Sequence, residues 1–145
     1  MTEHTPHVAF VCQKNGGKSQ MAAALMRHLA GDSVVVTSAG TKPGTALNAE
    51  SVESLVEIGV GVGDEHPTVL TSEMVDTSDV VVVLGTEAQV AEVPGMLVET
   101  WITDEPSERG ITGMDRMRLV RDDIRSRVED LERRIRARSQ GPLRR

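Results

Sequence analysis

Cys12 is the one cysteine among the 145 residues, and the pattern around it suits a reactive thiol. The apolar residues 8–11 predict a short buried strand before it, and residues 20–29 predict a helix soon after it. Between them lie residues 12–19, Cys-Gln-Lys-Asn-Gly-Gly-Lys-Ser, which we name the cysteine loop. Free amides and the dipole at a helix N-terminus favour negative charge. They would stabilise both a thiolate at Cys12 and an incoming oxyanion.

The other residues of the cysteine loop fit the same chemistry. Gly16 and Gly17 let the backbone curl so that successive N–H groups face one point, forming a nest for a tetrahedral anion. Lys14 and Lys18 can supply the cations that favour a thiolate. The loop, with Gln13 included, is therefore predicted to bind an oxyanion.

Two polar side chains are expected to shape the loop. Asn15 can hold the curl, because Asn bonds to nearby backbone and tolerates left-handed conformations. Ser19 can cap the following helix, and it can also donate a hydrogen bond to the sulfur of Cys12. We therefore predict that Asn15 helps to bind the oxyanion and that Ser19 takes part in catalysis.

Two other interpretations of the loop are weaker. A lone cysteine at a strand end is commonly a small buried hydrophobe, but such a role does not require two glycines and a helix-capping serine beside it. The string Gly-Gly-Lys-Ser also resembles the phosphate loop of nucleotide triphosphatases. That motif requires an earlier glycine at the position occupied here by Cys12.

Composition excludes several classes of function. The chain is 39% hydrophobic, 26% charged and 1% aromatic, with a net charge of −6. Few aromatic residues and no broad basic stripe before the last helix argue against nucleic-acid binding. No apolar run is long enough to span a membrane, and no cluster of His, Cys and carboxylates has metal-ligand spacing. With one cysteine, no internal disulfide is possible, which fits a reducing cytoplasm.

The periodicity of the whole chain predicts how the loop is positioned. We expect a single domain over residues 1–145, ordered over about 7–138 and frayed over 139–145, with a small three-layer α/β/α sandwich and a four-stranded, mostly parallel sheet. The predicted strands are residues 8–11, 34–39, 80–84 and 97–102, and the predicted helices are 20–29, 48–58, 72–75 and 113–138. Ligands in such sheets bind at the carboxyl ends of strands. Cys12, Ser38 and the loop after Ile102 lie at three such ends, so Ser38 joins the predicted binding residues.

Five ordered segments resemble the low-molecular-weight protein tyrosine phosphatase family. They are Cys-x-x-Asn-x-x-x-Ser-x-Met-Ala at residues 12–22, Thr-Ser-Ala-Gly-Thr at 37–41, the apolar strand at 79–84, Trp-Ile-Thr-Asp-Glu-Pro at 101–106 and residues 119–124 of the last helix. The resemblance covers roughly residues 7–135. Within the family the chain is most similar to the arsenate reductase branch, and there to the single-cysteine arsenate-mycothiol transferases, through residues 15–24 and 103–111.

This resemblance implies an enzyme of arsenate detoxification. Its nucleophile would be Cys12, assisted by Lys18 and Ser19, with arsenate as the substrate and no bound cofactor. Mycothiol would be the cosubstrate, and mycoredoxin, a glutaredoxin-like protein, would complete the reduction. The proton donor of the family is an Asp directly before Pro. Here that position holds Glu105, with Asp104 one residue earlier, and the sequence leaves the choice between them open.

Two departures from the family pattern sharpen the prediction. Lys18 stands where the phosphatases and the thioredoxin-coupled reductases carry Arg, whose planar fork grips an oxyanion better than a point charge does. The thioredoxin-coupled reductases also carry two further cysteines in the stretch matching residues 85–94, which has none here. An external thiol is therefore expected. The alternatives are a phosphomonoester or phosphotyrosine phosphatase and a non-catalytic oxyanion binder.

Overall fold

The computed structural model describes residues 4–86, 88, 90 and 96–140, without the side chains of residues 139 and 140. Its strands are β1 (His7–Cys12), β2 (Val35–Gly40), β3 (Val80–Leu84) and β4 (Leu97–Trp101). Its α-helices are α1 (Lys18–Ala30), α2 (Ala49–Val56), α3 (Ser72–Thr77) and α4 (Gly113–Gln140), and short 3-10 helices span Gly31–Ser33 and Pro106–Arg109. Every predicted strand and helix is confirmed, with bounds shifted by a few residues.

The four strands form one sheet in the order β2-β1-β3-β4, and all three pairings are parallel. The prediction of a mostly parallel sheet is therefore confirmed. β3 is buried along its whole length, as its five consecutive aliphatic residues require. β1 lies at the centre of the sheet, so the cysteine loop leaves the sheet between two neighbouring strands.

The two faces of the sheet are covered differently. Alternate residues of β1, such as Val8 and Phe10, pack with α1 and α4 in the larger apolar cluster. The intervening residues, such as Ala9 and Val11, face a smaller cluster on the other side. α4 presents one apolar stripe to the larger cluster, made of Met117, Val120, Ile124, Val128, Leu131 and Ile135. The predicted three-layer sandwich is thus confirmed.

The next features are the start of α2, the end of α4 and the residues that follow α4. Asn48 caps α2, since its side chain accepts a hydrogen bond from the Ser51 amide at 2.9 Å. α4 extends two residues beyond the predicted end. Residues 141–145, the rest of the predicted frayed tail, lie outside the described part of the chain, and the extent of the domain stays a prediction. None of the described helices combines the length and apolar character needed to cross a bilayer.

Candidate active site

The backbone of the cysteine loop is held from one side by the segment that follows β2. Four loop carbonyls accept hydrogen bonds from amides of that segment: Cys12 from Thr41 (3.2 Å), Gln13 from Lys42 (2.8 Å), Lys14 from Gly44 (2.9 Å) and Gly16 from Asn48 (2.6 Å). No cis peptide bond occurs in the described chain. In a planar trans peptide, the N–H points opposite to the preceding carbonyl. The amides following those four carbonyls therefore point away from this segment.

The amide of Asn15 shows what lies on that other side. It donates a hydrogen bond to the sulfur of Cys12 at an N···S distance of 3.1 Å. The loop amides and the thiol therefore share one side of the loop. This arrangement fits the predicted nest, in which sulfur and oxyanion lie next to each other.

The N-terminus of α1 adds further amides to the loop. Gly17 is the N-cap residue, and no side chain caps the helix. The first helical bond runs from the Met21 amide to the Gly17 carbonyl at 2.9 Å. Helix geometry leaves the amides of residues 17–20 without partners inside the helix. An oxyanion is a suitable acceptor for such a set.

Ser19 lies beside the sulfur of Cys12, and the prediction that it caps α1 is wrong. Its hydroxyl lies 2.8 Å from the sulfur of Cys12, and it accepts a hydrogen bond from the side-chain nitrogen Nδ2 of Asn15 at 2.7 Å. Because that nitrogen can only donate, the single hydrogen of the hydroxyl is available to the sulfur. The predicted hydrogen bond to the thiol is thus present in the geometry. Ser19 does not cap α1 because it is the second residue of the helix, whose N-cap residue is Gly17.

Asn15 connects the loop to two other parts of the chain. It is fully buried and has a positive φ of 54°, the left-handed conformation expected for it. Its carbonyl oxygen accepts hydrogen bonds from the Gln20 side chain at 3.1 Å and from the Thr68 amide at 2.9 Å. Gln20 also donates to the His66 carbonyl at 3.1 Å. The loop conformation is therefore fixed by a buried polar network.

Gly40, at the end of β2, is a residue whose importance the sequence did not reveal. A Cβ atom at this position would lie 2.6 Å from the Gln13 carbonyl oxygen and 3.0 Å from the Cβ of Asn15. Only glycine therefore allows β2 and the cysteine loop to approach this closely. Gln20 and Thr68 were also missed as parts of the site.

Glu105 and Lys18 meet at the edge of the loop. The ammonium of Lys18 lies 3.9 Å from one carboxylate oxygen of Glu105. The same carboxylate accepts two hydrogen bonds from Arg116, at 2.7 and 3.0 Å, and one from the Ser107 hydroxyl at 2.7 Å. The Arg116 guanidinium, followed by Ser107, lowers the pKa of Glu105 to about 2. At neutral pH this side chain is an anion with its oxygens occupied.

Asp104 is directed toward a different partner. It forms a two-pronged pair with Arg109, with N···O distances of 2.8 and 3.0 Å. This hydrogen-bonded guanidinium is the main reason that the pKa of Asp104 is lowered. Neither candidate acid is therefore protonated in the resting arrangement. The identity of the proton donor stays a prediction.

Ser38, Gln13 and Lys14 are placed less specifically. Ser38 lies beside Phe10 in the sheet register, two residues before the end of β2. It is buried, and its hydroxyl has no hydrogen-bond partner among the described residues. Gln13 is half-buried and Lys14 is exposed, and both contribute backbone carbonyls to the contact with the 41–48 segment. Substrate binding by these three side chains stays a prediction.

The described residues form no group of three His, Cys, Asp or Glu side chains placed to hold a metal ion. The site brings together a half-buried thiol, backbone amides and, at its edge, the ammonium of Lys18. Such a combination defines a site for a nucleophile and a tetrahedral oxyanion.

Comparison with known families identifies the class. The family described as low molecular weight phosphotyrosine protein phosphatase matches residues 7–140, and the chain belongs to this family. The resemblance predicted from five sequence segments is thereby confirmed.

Individual relatives place the chain near the arsenate reductases of that family. The arsenate reductase of Bacillus subtilis is 28% identical over 129 residues, covering 85% of this chain and 92% of the relative. A thioredoxin-dependent arsenate reductase of Corynebacterium glutamicum, Cg_ArsC1', is similar in structure, with a TM-score of 0.80 and 32% identity. The match covers 94% of this chain and 64% of that longer chain. A structure described as an arsenate reductase in the phosphate binding state has a TM-score of 0.76 and 25% identity, covering 90% of this chain and 98% of its own.

Proposed function

We propose that this protein is a thiol-dependent arsenate reductase that transfers arsenate to an external small thiol, mycothiol. The observation that carries the proposal is the shared orientation of the Cys12 sulfur and the loop amides, shown by the 3.1 Å contact between that sulfur and the Asn15 amide. The named arsenate reductases among its relatives support arsenate as the substrate. The relative described in a phosphate binding state supports an oxyanion site in this fold.

The proposed first step joins arsenic to sulfur. Arsenate is held by the loop amides and the ammonium of Lys18. A thiolate attacks arsenic, an As–S bond forms, an As–O bond breaks, and the oxygen leaves as water after gaining a proton. The attacking thiolate is a mycothiol thiolate brought to the bound arsenate, or it is Cys12 itself. In the second case a mycothiol thiolate then displaces the Cys12 sulfur from arsenic, which restores the Cys12 thiolate and gives the same mycothiol adduct. Arsenic remains As(V) in this step.

Reduction requires a second sulfur. When a thiol of mycoredoxin attacks the mycothiol sulfur of the adduct, an S–S bond forms and the electron pair of the As–S bond stays on arsenic. This releases arsenite as As(III) and a mixed disulfide. The 145 residues contain only Cys12, so they hold no second thiol for an internal disulfide. This cysteine count is the support for an external thiol.

The direct test supplies arsenate, mycothiol and mycoredoxin to the purified protein and follows the formation of arsenite. Parallel reactions replace the thiol system by glutathione with glutaredoxin, or by thioredoxin. We expect turnover with mycothiol and mycoredoxin, and none with thioredoxin alone. A Cys12→Ser variant with full turnover would remove the version in which Cys12 bonds to arsenic. Efficient turnover with thioredoxin alone would contradict the proposed cosubstrate.

A phosphatase is the second candidate, because the family itself is named for phosphotyrosine hydrolysis. Two observations argue against it. Lys18 occupies the position at which Arg would grip the phosphoryl group with a planar fork. The chain has one Phe, one Trp and no Tyr, and residues 101–106 offer only Trp101, which is buried. Rapid hydrolysis of an aryl phosphate without arsenate turnover would reverse this order. Tight oxyanion binding without any turnover would instead indicate a non-catalytic binder.

A further inference from the structure

The carboxylate of Glu105 lies between two cations but is bonded to only one of them. Arg116 donates two hydrogen bonds to it, at 2.7 Å and 3.0 Å. The Lys18 ammonium lies 3.9 Å from one oxygen of Glu105, close enough for an ion pair but beyond hydrogen-bond distance. The planar fork of Arg matches a carboxylate in two places, whereas Lys is a point charge. Arg116 therefore takes the carboxylate that would otherwise pair directly with Lys18.

This partition matters because Lys18 is the first residue of α1, where the helix amides are free to bind an oxyanion. A carboxylate bonded to its ammonium would compete with an oxyanion for the same charge. An uncompensated carboxylate would also repel the oxyanion directly. Arg116 opposes both effects, because it satisfies the two carboxylate oxygens and neutralises their charge.

Other groups around the pair maintain this arrangement. The Ser107 hydroxyl donates a third hydrogen bond to Glu105, and Glu50 in the first turn of α2 adds to the field that raises the pKa of Arg116. Arg116 itself is half-buried in the N-terminal part of α4. Because Arg116 and Ser107 both donate hydrogen bonds to its carboxylate, Glu105 stays bound to α4 at neutral pH.

We propose that Arg116 is a positioning residue that sets the oxyanion affinity of the cysteine loop by keeping Glu105 from forming a direct hydrogen bond with Lys18. The inference rests on the proposed oxyanion site, but not on arsenate being reduced there. It assigns Glu105 a role different from that of a proton donor. Loss of Arg116 weakens oxyanion binding, whereas loss of Glu105 does not weaken it.

Calorimetric titration with inorganic phosphate tests the proposal without requiring turnover. The proteins compared are the wild type, Arg116→Gln, Glu105→Gln and the double variant. We expect Arg116→Gln to weaken phosphate binding about tenfold, which is within the range of a single charge interaction near a protein surface. Glu105→Gln binds phosphate at least as tightly as the wild type, and the double variant behaves like Glu105→Gln. This non-additivity shows that Arg116 acts through Glu105.

Two further variants separate positioning from a general effect on folding or charge. Arg118→Gln removes an arginine from the same helix whose partners are Glu57 and Asp115, and it should bind phosphate like the wild type. Arg116→Lys keeps the charge but loses the fork, so its affinity should lie between those of the wild type and Arg116→Gln. This conservative variant also serves if Arg116→Gln does not fold.

Several results would overturn the inference. Unchanged phosphate affinity in Arg116→Gln would contradict it, and so would equal weakening by Arg116→Gln in the presence and absence of Glu105. If Glu105→Gln abolishes arsenate turnover while phosphate affinity stays unchanged in every variant, Glu105 is the proton donor instead. If the wild type does not bind phosphate at all, the oxyanion site itself is wrong. If phosphate binds as expected but arsenate is inert, only the proposed reaction fails.

Discussion

Basic residues occur in two contrasting regions of this molecule. Its three lysines, Lys14, Lys18 and Lys42, all lie in the cysteine loop or in the segment hydrogen-bonded to it. On α4 the basic residues are all arginines, and in the described part of the chain eight of them pair with carboxylates. The two regions therefore use different side chains for the same formal charge.

The difference follows from the shapes of the guanidinium and ammonium groups. The arginine fork fixes a carboxylate in one orientation and suits a helix surface crowded with acidic side chains. Most of those pairs are partly exposed, and each contributes little to stability. A lysine near a loop of amides remains a compact charge that can turn toward a ligand. In the loop, geometry is instead fixed by the buried bonds of Asn15.

The largest expected effect comes from breaking that buried network. Asn15→Ala removes the acceptor of the Thr68 amide and the donor to Ser19, and it places Ala at a positive φ. Leaving buried polar groups without partners, together with the strained backbone, should cost about 3 kcal/mol of the free energy of unfolding. Urea denaturation measures this value. Asn15→Gly relieves only the backbone strain, so its loss in the free energy of unfolding should be about 1 kcal/mol smaller than that of Asn15→Ala. If Asn15→Ala costs less than an exposed ion pair, the buried network does not hold the loop.

A smaller effect is expected where the loop meets β2. Gly40→Ala would place its Cβ against the Gln13 carbonyl, so the loop must move. We expect a loss of about 1–3 kcal/mol in the free energy of unfolding, as for an overpacked core, together with reduced phosphate affinity. The matched control is Gly61→Ala. No atom lies within 4 Å of its added Cβ, so it should change stability by less than about 0.5 kcal/mol. Equal effects at the two glycines would refute the close-approach argument.

Exchanging the type of cation tests the comparison directly. Lys18→Arg supplies the fork that the phosphatases of the family carry at this position. We expect hydrolysis of an aryl phosphate to rise about tenfold, because a planar guanidinium matches a phosphoryl group in two places. Steady-state rates with p-nitrophenyl phosphate measure the change. Lys42→Arg, the same exchange outside the loop, should leave that rate unaltered; a similar rise there would indicate a general effect of arginine.

The pH dependence of stability reports the pair between Glu105 and Arg116. The pKa of Glu105 in the folded protein is about 2, below its ordinary value of 4.5. A lowered carboxylate pKa stabilises the folded state above the ordinary value, and this contribution is lost as the pH falls from about 4.5 toward 2. The Tm difference between the wild type and Glu105→Gln should therefore be constant above pH 5 and shrink below it. The matched control is Glu108→Gln, a change in the 3-10 helix that begins just after Glu105, because it leaves the pair between Glu105 and Arg116 in place.

The smallest effect is expected on the outer face of α4. Arg133 lies 3.5 Å from Asp130, and both side chains are more than half exposed. Arg133→Gln should change the free energy of unfolding by less than about 0.5 kcal/mol and leave arsenite formation unaltered. A loss as large as that of Asn15→Ala would remove the distinction between the two regions.

The sequence predicted those features that depend on neighbouring residues. Five aliphatic residues specified β3, and an apolar residue every three or four positions specified α4. Contacts inside the cysteine loop, such as Ser19 with Cys12, were also accessible because they span only seven residues. The prediction that Ser19 caps α1 was wrong because local residue patterns do not reveal that the helix already begins at Lys18.

Contacts between distant segments could not be predicted. The approach of Gly40 to Gln13 depends on the register of β1 with β2, and the bond from Thr68 to Asn15 spans 53 residues. The pairing of Glu105 with Arg116 depends on where α4 begins relative to the preceding turn. Local patterns carry no signal for such distances, because they arise only when the elements pack together.

The amide-lined loop also has a consequence for selectivity. Backbone amides recognise the charge and the tetrahedral shape of an oxyanion, and these are nearly the same for arsenate and phosphate. A loop held this rigidly cannot choose between the two by adjusting its shape, so abundant phosphate would occupy it as a competitive inhibitor. Discrimination then falls to the sulfur chemistry that follows binding. A thiol can replace an oxygen on arsenic, and the electron pair of the As–S bond can later stay on arsenic and reduce it. Phosphorus resists this reduction, so phosphate is released unchanged.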